Sequence, residues 1–210
     1  MAQIFPKWTN YLPHYVGLGL PVVGILVLGA VAYWFSPKFT DVGYQPKQPI
    51  NFSHRQHAGK LGMDCRYCHN TVERSPYAAV PPTQTCMTCH RHVLKNDPRT
   101  AKLRAMYATG RPIPWVRVHM LPDYTFFNHS LHLAAGVGCR SCHGRVDRMD
   151  RVSQVEPLSM SWCLECHRRP GPHLRPLSEV TNMRWQGRAG QDSRIKRTLA
   201  PPLHCSGCHR

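Results

Sequence analysis

All ten cysteines of this 210-residue chain fall in five copies of one motif, Cys-x-x-Cys-His. The copies are Cys65/Cys68/His69, Cys86/Cys89/His90, Cys139/Cys142/His143, Cys163/Cys166/His167 and Cys205/Cys208/His209. This spacing is the attachment site of a covalently held c-type haem. Two thiols form thioethers to the porphyrin, and the adjacent histidine is carried beneath the ring as an axial ligand to iron. A chain with five such sites has to fold around five large planar groups.

Two other uses of paired cysteines compete with this reading. Zinc sites combine two Cys-x-x-Cys pairs into one tetrahedron, and an odd number of pairs leaves one over. A disulfide framework tolerates ten cysteines but gives no reason for a histidine after every second one. With 14 His in 210 residues, chance places one there five times with a probability on the order of one in a million. The reading is five covalently bound haem c groups.

Composition agrees. Beyond the apolar N-terminal stretch there are only roughly 35 residues per motif, and they include most of the 19 prolines and 15 glycines. A conventional core of packed helices or sheets is not expected. The expected fold is mostly irregular, with short α-helices carrying the motifs, little or no sheet, a haem-filled core and one N-terminal transmembrane helix. The formal net charge of +16 would ordinarily point to nucleic acid or an anionic surface. Each haem brings two propionates, however, and Arg and Lys are their natural partners. The aromatics do not alternate with basic residues as on a single-strand binding platform, so no nucleic acid partner is expected.

Val16 to Phe35 is a twenty-residue run without a charge, about the length needed to cross a bilayer as a helix. A cleaved signal peptide is the rival, because Ala30-Val31-Ala32 resembles a small-x-small processing site. The segment is read as a retained signal anchor, with Pro21 near its start and Tyr33, Trp34 and Phe35 at the far interface. Lys7 on one flank and Lys38 and Lys47 on the other leave the charge rule indecisive. Haem is attached outside the cytoplasmic membrane, which places the motifs on the periplasmic or extracellular side. The expected layout is a cytoplasmic tail at 1–13, a transmembrane anchor at 14–36 and an extracytoplasmic pentahaem domain at 37–210.

An internal duplication organises that domain. Phe52-Ser53-His54-Arg55-Gln56-His57 precedes the first motif and Phe127-Asn128-His129-Ser130-Leu131-His132 the third, offset by 75 residues at the histidines and 74 at the cysteines. Two dihaem modules are expected, at about 50–95 and 115–168, with the fifth haem appended at 204–210. Histidines three apart share one face of a helical turn. Each iron already has its motif histidine, so the two histidines of a pair must reach two different irons. His54, His57, His129 and His132 are therefore expected as distal ligands, with His119 as the fifth candidate. His14, His92, His173 and His204 are set aside. Met149 and Met160 remain rivals for one iron, and Met160 is better read as core.

The Phe-x-His-x-x-His pairs resemble those of class III multihaem cytochromes c. The resemblance implies that His54 completes the haem at Cys65/Cys68 and His129 that at Cys139/Cys142, with His57 and His132 reaching more distant haems. The run Trp115-Val116-Arg117-Val118-His119-Met120-Leu121-Pro122-Asp123, the second pair and Ser161-Trp162-Cys163-Leu164-Glu165-Cys166-His167-Arg168 are similar, with the anchor and five motifs, to the pentahaem subunits of bacterial alternative complex III. That resemblance implies a quinol-oxidising complex with a polytopic quinol-binding membrane subunit, an iron-sulfur subunit, and a monohaem cytochrome c or copper protein as acceptor.

Chemistry argues in the same direction. An iron with two protein ligands has no open position for a substrate, so the expected role is electron relay rather than catalysis. A stand-alone quinol dehydrogenase cytochrome is the alternative, though Asp41 is the only acid beside the anchor. A multihaem reductase is disfavoured because no Cys-x-x-Cys-Lys motif occurs. The Pro- and Arg-rich stretch 168–204 reads as a segment that wraps another subunit, and Pro98 to Tyr107 as a short exposed helix between the modules.

Overall fold

A computed structural model describes residues 4–187 and 199–210. Its longest element is α1, Leu12–Trp34, which opens on a proline in its first turn, where the missing amide would have had no intrahelical acceptor. At 1.5 Å per residue its 23 residues span about 35 Å. None of its residues is buried. With the turn before it, Lys7–Trp34 contains an 18-residue window of mean hydropathy 2.2 and is the single described helix long and apolar enough to cross a membrane. A short helix, α2 (Pro37–Thr40), follows it, and these elements belong to a compact unit ending at Asp41.

The second unit, Val42–Arg210, is helical and irregular. Among the described residues it has no strand, only isolated bridges between Thr125 and His209 and between Val137 and Leu174. Its helices are α3 (Cys65–Cys68), α4 (Thr83–His90), α5 (Ala101–Ala108), α6 (His129–Ala135), α7 (Arg140–His143) and α8 (Met160–Arg168). Local chemistry starts and stops them. Asp64 accepts from the amide of Arg66 at the head of α3, Asn128 from that of Ser130 at α6, and Ser159 from that of Trp162 at α8. Gly136 closes α6 with φ near +89°, a left-handed conformation that glycine adopts without steric penalty.

The duplication survives as structure. A histidine turn, a short motif helix and a longer motif helix follow one another twice: Arg55–Lys60, α3 and α4 in the first half, α6, α7 and α8 in the second. The copies differ in their histidine turns. Arg55–Lys60 winds as a wide π-type turn where the second copy is α-helical.

Apolar packing is thin and dispersed. One cluster joins Met87 of α4, Leu103 of α5 and Ile113, with Ile50, Met106, Tyr107 and Trp115 around it. The stretch from Pro98 is thus a helix, as expected, but Leu103 is 6% exposed and pins it to α4. Elsewhere Val72, Leu133, Leu174 and Val180 are buried separately. The last two lie in the 168–204 stretch, whose described part turns back onto its own chain: Cys139 N donates to Val180 O, and Arg175 N to Gly136 O. Residues 188–198 of that stretch lie outside the described residues.

Candidate functional site

Each Phe-x-His-x-x-His element builds the same three-ring arrangement. Phe52 lies edge-on to His54 at 4.9 Å between ring centres and stacks on His57 at 4.4 Å with planes 21° apart. Phe127 lies edge-on to His129 at 4.8 Å and stacks on His132 at 4.6 Å and 28°. The second histidine of each pair also donates from Nδ1 to the carbonyl four residues earlier, His57 to Ser53 at 2.8 Å and His132 to Asn128 at 2.7 Å. A carbonyl can only accept, so the proton sits on Nδ1 and Nε2 keeps its lone pair.

The same arrangement recurs on three of the motif histidines. Nδ1 of His69 donates to Ala79 O at 2.7 Å, that of His90 to Val93 O at 3.1 Å and that of His167 to Pro202 O at 2.8 Å. His129 Nδ1 donates to Pro76 O at 2.7 Å. A backbone acceptor on one ring nitrogen is the usual partner of a histidine whose other nitrogen holds a metal.

Pairing of the rings is more discriminating. Two imidazoles holding one iron from opposite faces, with metal–nitrogen bonds of about 2.0 Å, have ring centres about 6 Å apart. His57 and His90 stand at 6.2 Å, His132 and His167 at 6.3 Å, and His129 and His143 at 6.4 Å. In the first two pairs a distal candidate meets the second motif histidine of its own module. His119 approaches His143 more closely, at 4.4 Å and nearly perpendicular. His209 has Tyr124 beside it, at 5.8 Å. His119, the fifth distal candidate, is therefore brought to the third motif, while a tyrosine accompanies the fifth.

Burial keeps four of the imidazoles, His54, His119, His132 and His143, neutral. Burial, then the neighbouring His69 and His57, pulls His54 down to about 4. Burial, followed by His119, His129, His69 and His54, pulls His143 down to about 3. His119 is lowered by burial and by His129. His132 is lowered chiefly by burial, against the raising effect of its bond to Asn128. A neutral imidazole is the form that binds metal. Three buried nitrogens lack a hydrogen-bond partner among the described residues, His54 Nδ1, Trp115 Nε1 and His119 Nε2. An unpaired buried nitrogen costs about 1–3 kcal/mol, and a metal or porphyrin edge would offset that for His119 Nε2.

The thiols are grouped as well. The Cys65 and Cys139 thiols interact, which pushes Cys65 up and Cys139 down. Burial, then Cys166 and Cys163, pushes Cys142 up to about 12. Cys89 and Cys205 are exposed, and the remaining eight cysteines are half-buried. No two of the ten are joined in a disulfide. The donor set thus fits haem c: paired thiols beside each motif histidine, neutral imidazoles with bare Nε2 atoms, and ring pairs at the spacing of axial ligands.

Comparison with known proteins points the same way. Residues 36–112 match the profile of the Class III cytochrome C family, a stretch that holds the first histidine pair and the first two motifs. The chain is also similar to the multiheme cytochrome c subunit of menaquinone reductase from Nitratidesulfovibrio vulgaris, with 36% identity over 122 residues. That alignment covers 58% of this chain and 56% of the relative, so the chain spans little more than half the length of the protein it matches. Over residues 36–112 the chain is similar to the class III cytochromes c, a multihaem family, and the cofactor this similarity implies is covalently bound haem c.

Proposed function

We propose that this chain is a membrane-anchored pentahaem c-type cytochrome that relays electrons within a quinol-oxidising complex resembling alternative complex III. In this reading Cys65, Cys68, Cys86, Cys89, Cys139, Cys142, Cys163, Cys166, Cys205 and Cys208 carry five haems, and His69, His90, His143, His167 and His209 are their proximal ligands. His54, His57, His119, His129 and His132 supply distal ligands. The observation that carries it is the spacing of His57 to His90 and His132 to His167, 6.2 and 6.3 Å, repeated in both modules. The anchor at 14–36 holds the haem domain on the periplasmic side of the inner membrane.

When bound, haem would supply a one-electron couple, with the paired histidines as the residues that would hold its iron and leave no place for a substrate. The chain's own residues set the conditions for this. Phe52 and Phe127 hold the second histidine of each pair by stacking, and the Nδ1 bonds fix its rotation. Burial keeps His54, His119, His132 and His143 neutral, so no proton competes for the bare nitrogens. Arg55, Lys60, Arg145, Arg148 and Arg184 line a cavity of about 250 Å³ with Asp147 as its only acid, a surplus of positive charge suited to propionates.

The partners in this reading are a polytopic quinol-binding subunit, an iron-sulfur subunit and a monohaem cytochrome c or copper protein. A second reading, in which electrons flow toward the quinone, is favoured by the name of the similar protein, a menaquinone reductase subunit. One experiment separates the two: purify the complex through this chain and add menaquinol anaerobically. Haem reduction by menaquinol, reversed by an oxidised periplasmic cytochrome, is the expected result. Haems that stay oxidised with menaquinol, yet are oxidised by menaquinone after reduction by an external donor, would favour the second.

A further inference from the structure

The contacts between motifs carry more than their ligation. Tyr67, inside the first motif, bonds through Oη to Thr88 Oγ1, inside the second, at 2.8 Å. The first motif touches the third on its other side. Cys65 and Cys139 both lean on one short segment, Cys65 Sγ on Thr181 O at 3.9 Å and Cys139 N on Val180 O at 3.0 Å. His129, which precedes the third motif, is tied to Pro76, just beyond the first, at 2.7 Å. His132 in turn reaches His167 of the fourth motif, and Cys142 lies within electrostatic range of Cys163 and Cys166. His167 bonds to Pro202, just ahead of the fifth motif, at 2.8 Å, and Cys163 lies within electrostatic range of Cys208.

We infer that the five attachment sites form one file in the spatial order second, first, third, fourth, fifth, so that the first site, not the second, joins the two modules. The inference rests on the haem reading above and adds to it an order that departs from the order along the chain. Exposure supports it independently. The two exposed cysteines are Cys89 and Cys205, in the second and fifth motifs, which this order puts at the ends. The ends of a file have neighbours on one side and the interior sites on both. The second and fifth sites are thus where this chain meets its electron donor and acceptor.

The physical cause is the duplication. Each module turns its first motif inward through its own histidine turn, so the equivalent sites, first and third, back onto each other. The 174–182 segment, buried at Leu174, Arg175 and Val180, clamps that junction. Arg175 passes so close to Gly138 that a side chain there would collide with its guanidinium.

The test uses the intact, haem-loaded chain. Iron content and protein mass check the underlying reading, and anomalous scattering at the iron edge from crystals of the same preparation checks the order. Five irons are expected, with the iron of Cys139/Cys142 flanked by those of Cys65/Cys68 and Cys163/Cys166 and the iron of Cys86/Cys89 at one end. Five irons with that of Cys86/Cys89 lying between the first and third would overturn the order and leave the haem reading standing. Fewer than five would overturn both. A second measurement follows electrons after flash reduction in two four-haem variants. Without the first haem (Cys65→Ala with Cys68→Ala), one of the four remaining haems should equilibrate at least about tenfold more slowly than the rest. Without the second (Cys86→Ala with Cys89→Ala), all four should equilibrate together, and the opposite assignment of the slow phase rejects the order.

Discussion

Phe127 stacks on His132 with ring centres 4.6 Å apart, and Phe52 stacks on His57 in the same way at 4.4 Å. Each ring lies against an imidazole whose Nδ1 is already bonded to a backbone carbonyl. The phenylalanine of the repeated element is therefore a support for the second histidine rather than part of a core. Replacing Phe127 by Ala is expected to leave haem content unchanged and to convert part of the haem at Cys163/Cys166 to a high-spin form. Electron paramagnetic resonance of the oxidised protein reads this directly. An unchanged low-spin spectrum would mean that the stack contributes packing alone.

Replacing His57 or His132 by Ala removes one member of a pair spaced for axial ligation. Each variant should keep five haems by mass and gain one site that binds carbon monoxide when reduced. The native protein should bind none at comparable concentration. A variant that still excludes carbon monoxide would remove that histidine from the ligand set.

His119 and His129 both face His143, and 6.4 Å is the axial spacing while 4.4 Å is too short for it. His129→Ala is expected to turn the haem at Cys139/Cys142 high-spin. His119→Ala should leave that haem low-spin and perturb its absorption band. The reverse pattern, seen in the absorption spectra of the two variants, would assign the third iron to His119.

Gly59 lies against the carbonyl of Asp147, and a methyl group built there would strike backbone oxygen, which cannot swing aside. Gly59→Ala should destabilise the haem domain by about 1–3 kcal/mol, as overpacking does where the neighbour is rigid. Chemical denaturation followed by circular dichroism measures it. Gly62, with φ near +69° but open space around it, should tolerate Asn better than Val.

Acid stability should depend on Asp64. This carboxylate accepts from Arg66 and from Thr181 Oγ1, joining the first motif to the segment that clamps the third. Its bonds to Arg66, the largest cause, hold it at about 2 against an ordinary value of 3.8. A carboxylate depressed in the fold contributes stability that is full above its unfolded value and is lost as pH falls through its folded one. The loss therefore belongs between about pH 4 and pH 2, and its size is reduced by solvent because the side chain is 41% exposed. Asp64→Asn should flatten the acid limb of a stability–pH curve measured over that window and leave the neutral region parallel to the native protein.

What was legible in the sequence is what short range determines. A thioether pair and its axial histidine must lie within five residues, so the chemistry proposed for Cys65 to His69 and its four counterparts is read from spacing alone. Histidine pairs three apart share a face of one turn for the same reason, and twenty uncharged residues suffice to specify a helix of bilayer length. The shortage of periodic apolar segments likewise led to short helices in irregular chain, as observed. The tertiary structure decided which imidazole faces which. His57 meets His90 across 33 residues, His119 lands beside His143 while Tyr124 accompanies His209, and Cys65 reaches Cys139. Leu174 to Thr181 of the 168–204 stretch, a stretch read from Trp185 and Leu199 as wrapping another subunit, also packs against the chain's own motifs. Those pairings depend on the path of long connections without helical or strand period, so residues far apart in sequence carry no local signal of their distance in space.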